Sequence, residues 1–296
     1  MSRSPRQPDS EGMRQTEVIR FDRAHPAGQR RRDVVIAEGP LNIQVDGTPY
    51  TLLRTPGSDR ELGVGFLFTE GLIEGLDDIM LLSECPDAPN AFTVKTSVPK
   101  DKPRRTLVIT SSCGLCGRED IGALIGSLGR IEGDCRMPLE RIYQVPAMVR
   151  KMQPLFGSTG GAHASALIRR DGRIECVKED VGRHNAMDKL IGYSLLQQLS
   201  LDDVSVFLSG RTSIEMVIKA GRARIPILLA VGAATDAAVE AADRLGITLC
   251  GFLRGEEFSV YTHAWRIAGP EAAGGERPAA EASVGNRAAG LGLPDA

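Results

Sequence analysis

The sequence predicts an α/β protein in which a sheet is sandwiched between layers of helices and is preceded by an antiparallel, β-rich part. Three observations carry this expectation. From about residue 145 onward, strand-like and helix-like segments alternate, as in a layered sheet whose connections are helices. Residues 34–54 (VVIAEGPLNIQVDGTPYTLLR) hold short β-rich runs with Asp46-Gly47 between them, where a two-residue hairpin turn belongs. The length, 296 residues, is about twice a single domain and ample for a core without covalent staples.

Along the chain, the elements follow from these signals. Ser58 and Glu61 stand at capping-box spacing ahead of ELGVGFLFTEGLI, where Leu62, Phe66 and Ile73 can share one helical face, although Gly63 and Gly65 weaken the pattern. AFTVK (91–95) and RTLVIT (105–110) read as strands, and the second runs straight into SSCGLCGRED and the periodic IGALIGSL. A helix is expected near 146–156, a hairpin turning at Asp171-Gly172, and a helix over about 184–199. VSVFLSG, ILLAVG and ITLCGFLR follow as strands, separated by helices opened by Thr212 with Glu215 and by Thr235; FSVYT closes the set. The resulting plan is a disordered arm over 1–17, a β-rich part over 18–140, an α/β core over 141–268, and a disordered tail over 269–296. Both ends hold too few large apolar side chains to offset the entropy of ordering.

Composition narrows the function. Aromatic residues are 4% of the chain and its net charge is −2, which argues against a nucleic-acid binder that needs stacking platforms and a positive field. A small anion held by a few local groups fits this balance. No run approaches the roughly 18 apolar residues of a membrane span, and the first twenty residues lack a signal-peptide core, so a cytoplasmic protein is expected. Arg30-Arg31-Arg32 reads as a solvated flank.

Six cysteines are too few for a disulfide framework in a chain this long. Cys113 and Cys116 form a C-x-x-C on a strand-to-helix connection, where helix N–H groups and the helix dipole favour a thiolate. Half a zinc site, a dithiol redox pair, a persulfide-bearing loop and two structural cysteines all remain open on spacing alone. A structural zinc site lacks its second pair, and a deaminase site lacks its H-x-E, so no metal site is expected.

Polar residues gather at three later junctions. Gly160-Gly161 before His163 forms either an anion nest or an ordinary turn. KEDVGRHNAMDKL (178–190) packs Glu179, Asp180, Arg183, His184, Asn185, Asp188 and Lys189 into one strand-to-helix passage, with donors suited to phosphates and base edges. Ser209-Gly210-Arg211 repeats the strand-to-helix geometry, as an anion site or as a plain capped turn.

Together SSCGLCG, GGAHASAL, EDVGRHNAMDK, SGR before a helix, and GFLRGEEFSVY resemble the FdhD family of sulfur carrier proteins required for formate dehydrogenase activity, over about residues 34–267. The resemblance implies a three-layer α/β/α, cytidine-deaminase-like core without the deaminase zinc site, and a homodimer. It implies sulfurtransferase chemistry: persulfide sulfur passes from a cysteine desulfurase to the molybdenum bis(molybdopterin guanine dinucleotide) cofactor before that enters formate dehydrogenase. Cys113 would bear the persulfide, while Cys116 either attacks its inner sulfur in release or shares the sulfur. The nucleotide ends, which GDP would mimic in part, fall to His163, Arg183, His184, Asn185, Arg211 and the run Phe252, Leu253, Arg254, Gly255, Glu256, Glu257. Val231 to Thr235 departs from the Ser/Pro/Thr-rich turn expected there, and no contact is assigned to it. A non-catalytic cofactor chaperone and a dithiol oxidoreductase are the competing readings.

Overall fold

The computed structural model describes residues 12–85, 88–97, 108–109 and 118–269. The chain opens on a two-stranded ribbon, β1 (Met13–Asp22) and β2 (His25–Ile36), paired antiparallel from Met13↔Ile36 outward. Residues 13–17, expected in a disordered arm, are therefore the first half of a strand. Its sequence lacks the apolar alternation of a half-buried strand, and among the described residues its one strand partner is β2.

A hairpin follows, β3 (Gly39–Val45) and β4 (Thr48–Arg54), turning at Asp46-Gly47 with both residues at positive φ. α1 (Asp59–Thr69), β5 (Ile79–Cys85), β6 (Ala88–Thr96) and the two-residue β7 (Val108–Ile109) come next. These strands form a five-stranded sheet in the order β5-β6-β3-β4-β7. It is mixed rather than wholly antiparallel, because β3 pairs parallel with β6 and β4 with β7. α1 crosses over the sheet between β4 and β5, and a crossover of that kind permits the parallel pair that a hairpin cannot make.

The helix α1 forms without its expected cap. Ser58 sits in the left-handed region (φ 57°) and makes no side-chain cap bond, while Glu61 turns to Lys178 at 3.2 Å. Gly65, which weakened the pattern, is explained by tertiary contact. A methyl group there would lie 1.8 Å from the Asp188 carbonyl oxygen, and one at Gly192 would lie 1.9 Å from that of Glu61. Two helices cross here backbone to backbone, and only glycine leaves room.

After α2 (Arg118–Leu128) and β8 (Met137–Pro138), α3 (Leu139–Lys151) begins seven residues earlier than expected. Pro146, a natural first-turn residue, lies inside it; the buried stripe Ile142, Val145, Val149 holds the helix to the sheet despite the lost N–H. The short α4 (Pro154–Thr159) leads into β9 (His163–Arg169) and β10 (Ile174–Asp180), the hairpin expected at Asp171-Gly172. Then α5 (Arg183–Leu196), β11 (Val204–Leu208), α6 (Ile214–Arg222), β12 (Ile227–Ala230), α7 (Asp236–Leu245), β13 (Thr248–Arg254) and β14 (Glu257–Thr262) alternate, and β15 (Ile267–Ala268) ends the described chain beside β8.

The six-stranded sheet runs β10-β9-β11-β12-β13-β14, with β11, β12 and β13 parallel and the flanking pairs antiparallel. Alternate residues face opposite layers. Leu167, Val206, Leu208 and Leu228 join α5, α6 and α7 in one apolar cluster, whereas Ala166, Ile168, Phe207 and Leu229 join α3 in the other. This is the expected three-layer α/β/α arrangement. The larger cluster also takes in Leu41 and Phe92 from the first sheet and Phe66 from α1, so the two sheets share a core across residue 140.

Capping is mixed at the later helices. Thr235 Oγ1 accepts the Ala238 N–H at 3.2 Å as expected. Thr212 does not cap α6; it is fully buried, bridges to Ala234, and leaves Ser213 as the N-cap without a side-chain cap bond.

Candidate functional site

The strand directions bring the expected residues to one edge. Because β10, β11, β12 and β13 run the same way, the starts of α5, α6 and α7 and the β13–β14 hairpin all lie at their carboxyl ends. β9 runs opposite, so its first residue, His163, joins them. The crevice outside the carboxyl ends of the strands is where open α/β sheets hold ligands.

At that edge the loops meet backbone to backbone. Gly232 donates its N–H to the Gly210 carbonyl at 3.1 Å, and a methyl at Gly232 would lie 2.7 Å from that oxygen. A methyl at Gly210 would lie 3.2 Å from His163 Nδ1 and 3.6 Å from Arg183 Cδ, so these two side chains flank the glycine. Ser209 Oγ accepts the Ala164 N–H at 2.8 Å and stands 3.3 Å from His163 Nδ1. Burial and then the Arg183 charge push the His163 pKa down.

His184 is more extreme. Burial, then Arg183 and Lys219, lower its pKa to about 4, leaving it neutral at pH 7. Neither ring nitrogen has a hydrogen-bond partner, and Glu215 stands 4.0 Å away, outside hydrogen-bond reach. Arg183 Nε and Thr212 Oγ1 are likewise buried without partners. A desolvated donor left unpaired costs about 1–3 kcal/mol, so this concentration at one edge is an arrangement in want of a ligand. Arg211 is exposed beside them, with no ion pair among the described residues.

The rest of KEDVGRHNAMDKL has structural duties. Lys189 Nζ is buried against Asp180 Oδ2 at 2.8 Å and also donates to the Thr55 carbonyl at 2.9 Å. Asn185 spends both amide hydrogens, on the Leu53 carbonyl at 2.7 Å and on Asp180 Oδ1 at 2.9 Å. A ligand could reach only its amide oxygen. Asp188 takes Lys219 at 2.8 Å and Thr69 Oγ1 at 2.8 Å. Glu179 accepts the Leu155 and Phe156 N–H groups at the start of α4.

Two cavities open along α3. One of about 470 Å³ is lined by Arg150, Phe156, His163, Ser209 and Val231, among others; the other, about 610 Å³, by Tyr143, Phe252, Glu256, Glu257 and Phe258. His163 and the GFLRGEE hairpin thus belong to separate hollows; Phe252, in the wall of one, donates its N–H at 3.1 Å to the carbonyl of Gly232, which follows Val231 in the wall of the other. Arg183, His184, Asn185 and Arg211 line neither. Leu253, expected at the ligand, has its side chain fully buried in the α3-side core, since alternation along β13 turns it inward. Its neighbour Phe252 is 46% exposed at φ 56°, where the register of β13 against β14 shifts. Gly255, at φ 57°, makes the turn, and Arg254, Glu256 and Glu257 are exposed around it.

Gly160 and Gly161 form no open nest: their N–H groups are taken by the Phe156 carbonyl at 2.8 Å and by Thr159 Oγ1 at 3.1 Å, which makes them the end of α4. Cys113 and Cys116 lie outside the described residues. Their upstream flank is described: Ile109 pairs with Leu52, one residue before the carbonyl that holds Asn185. Of the remaining cysteines, burial pushes Cys135 and Cys250 up to about 12 and Cys176 to about 11, so these three stay protonated thiols. Sequence reasoning missed Ser209 as a partner of His163, Arg150 in the cavity wall, and the buried Thr212 hydroxyl. Ser209 had a signal, a small polar residue directly after a strand; Arg150 had none, since it reads as the solvent face of an amphipathic helix.

The fold and this edge define a three-layer α/β protein with an open polar site at its strand ends. The FdhD/NarQ family model matches residues 36–268. The sulfur carrier protein FdhD of Saccharolobus solfataricus is 38% identical over 79% of this chain and 91% of its own length. That of Mycobacterium tuberculosis is 40% identical over 80% and 92%. A crystal structure assigned as a formate dehydrogenase accessory protein from Desulfotalea psychrophila superposes with a TM-score of 0.67 and 27% identity, covering 86% of this chain and 98% of that one. The chain belongs to the FdhD/NarQ family. No helix among the described residues is long and apolar enough to cross a membrane.

Proposed function

We propose that this protein is a sulfur carrier serving formate dehydrogenase. Cys113 takes sulfane sulfur from a cysteine desulfurase: its thiolate attacks the outer sulfur of the donor persulfide, a new S–S bond forms, and the donor cysteine leaves as thiolate. The Cys116 thiolate then attacks the inner sulfur, leaving a Cys113–Cys116 disulfide, and the outer sulfur departs as sulfide to the molybdenum bis(molybdopterin guanine dinucleotide) cofactor, which is the substrate, before that cofactor enters formate dehydrogenase. The protein works in the cytoplasm. The observation that carries this reading is kinship with sulfur carrier proteins over about four fifths of the chain.

The substrate's nucleotide ends suit the strand-end site. Arg183, Arg211 and the His184 ring offer donors for phosphate oxygens, and an incoming phosphate would draw a proton onto His184 by reversing its electrostatic surroundings. His163 borders the same edge. Phe252 presents a flat face, Arg254 a charge, and Glu256 or Glu257 can accept the N–H donors on the edge of guanine that adenine lacks. Asn185 contributes through its amide oxygen, and Leu253 and Gly255 through backbone shape alone.

Two measurements test this. Incubation with a cysteine desulfurase and cysteine should add one sulfur to the peptide carrying Cys113, and Cys113→Ala should abolish both that adduct and activation of formate dehydrogenase while leaving GDP binding intact. Full activation by Cys113→Ala overturns the mechanism. By calorimetry GDP should bind more tightly than ADP; equal affinities remove the base-edge role of the β13–β14 hairpin.

A further inference from the structure

The functional reading gives an occupant to the hollow beside the β13–β14 hairpin but none to the cavity of about 470 Å³ beside His163. One side chain in that second wall has no structural duty. Gln153 is 7% exposed and occupies the N-cap position of α4, yet it makes no side-chain cap bond, and among the described residues its amide has no hydrogen-bond partner. The capping is done instead by Glu179, which takes the Leu155 and Phe156 N–H groups. A primary amide desolvated without partners costs stability, so its place in a cavity wall points to something that enters the cavity.

The remaining wall indicates the chemistry of that occupant. Pro146, Ala162, Phe207 and Val231 make it largely apolar. Arg150 is the one arginine or lysine in the lining; its guanidinium lies 3.8 Å over the Phe156 ring, and Glu179 partly offsets its charge. Burial, then the Arg183 charge, keeps His163 neutral at pH 7. Ser209 Oγ accepts the Ala164 N–H and retains its own hydrogen to donate. A phosphate would need more than one engaged cation, whereas a flat, uncharged heterocycle suits such walls and a volume of this size. The Gln153 amide sets an acceptor beside a donor, which complements the 2-amino-4-oxopyrimidine edge common to pterin and guanine.

We propose that this cavity receives a pterin ring of the substrate, with the Gln153 amide paired to the ring's 2-amino-4-oxo edge. The inference rests on the molybdenum cofactor being the substrate, and it assigns a side chain and a cavity that the nucleotide ends leave unused. Guanine carries the same edge, but the hairpin carboxylates Glu256 and Glu257 already serve it. Gly232 links the two hollows: it follows Val231 in this wall, accepts the Phe252 N–H from the other, and is bonded to Gly210, which Arg183 flanks. Phosphates held at that contact would let one ring enter each hollow. Gln153 is thereby a specificity-determining residue for the pterin.

Equilibrium dialysis of the full chain against 6-hydroxymethylpterin, followed by the pterin's own fluorescence, tests the assignment. The native protein should bind the pterin equally well with and without saturating GDP. Gln153→Met should weaken pterin binding by about 10- to 100-fold, because the edge of the ring then goes unpaired, and should leave GDP affinity unchanged. Its melting temperature should equal or exceed the native one, since an unpartnered buried amide gives way to an apolar group of similar shape. A native chain that binds GDP but not the pterin overturns the proposal while leaving the sulfur-carrier reading in place. Displacement of the pterin by GDP overturns it by making the cavity a guanine site, and undiminished pterin binding by Gln153→Met removes the role of the amide. Failure of the sulfur-carrier reading shows elsewhere, as a missing sulfur adduct on the Cys113 peptide.

Discussion

One eleven-residue passage, Glu179 to Lys189, contains two regions with opposite physics. Its inner side chains, Asp180, Asn185, Asp188 and Lys189, have every strong polar group matched: Lys189 to Asp180, Asn185 to Leu53 and Asp180, Asp188 to Lys219 and Thr69. Its outer side chains, Arg183 and His184, are almost as deeply desolvated yet leave three nitrogens without partners. The sheet edge divides them. Inward lies protein that can complete the bonds, and outward lies the opening. Satisfied burial marks what holds the fold, and unpartnered buried groups clustered at the strand ends mark where a ligand could complete the bonds.

The largest effect should come from the crossing that supports the inner region. Gly192→Ala places a methyl group 1.9 Å from the Glu61 carbonyl, so α5 must leave α1; we expect no folded soluble protein, checked by circular dichroism of refolded material. Next, Lys189→Met strands the buried Asp180 carboxylate, and chemical denaturation should show a loss of about 3–5 kcal/mol. If that variant lost only as much as a surface substitution, the division into inner and outer regions would be wrong.

The outer region should respond to pH. His184 titrates near 4 in the fold and near 6.5 when unfolded, so the unfolded chain binds the extra proton between those values. Stability from this group is full above about pH 6.5 and falls as pH drops toward 4, by up to about 3 kcal/mol. His184→Gln should flatten this part of the stability profile, measured by urea denaturation at steps between pH 7 and 4. The smallest effect on stability is expected for Arg183→Ala, with an unchanged melting temperature but GDP affinity weaker by about 10- to 100-fold in calorimetry. The reverse outcome, intact binding with a lowered melting temperature, would move Arg183 into the inner region.

Local chemistry made much of this legible. Asp46-Gly47 and Asp171-Gly172 turn hairpins because positive φ is cheap there, and the alternation after residue 145 led directly to the layered sheet. Capping was less legible. The spacing of Ser58 with Glu61 and of Thr212 with Glu215 suggested caps, but Lys178 claims Glu61 and the bridge to Ala234 draws Thr212 inward. The β-rich part was read as antiparallel because its one visible turn is a hairpin; the parallel pairs β3–β6 and β4–β7 join residues about fifty apart, which no local signal reports.

At the site, the sequence by itself determined the inventory: the C-x-x-C, His163, the Arg183-His184-Asn185 triplet, Arg211 and the GFLRGEE run, each placed at the end of a strand by the pattern around it. Tertiary structure alone decided which of the described ones keep polar groups without partners at the strand ends. Asn185 and Leu253 stand in the same runs as Arg183 and Phe252, yet the Leu53 carbonyl takes the amide of one and the α3-side core takes the side chain of the other. Gly65 weakens its helix in sequence, and its reason appears only where α1 meets α5 at Gly192. A residue's type and neighbours in sequence set what bonds it can make, but whether a partner from a distant segment has already claimed them depends on packing across more than a hundred residues.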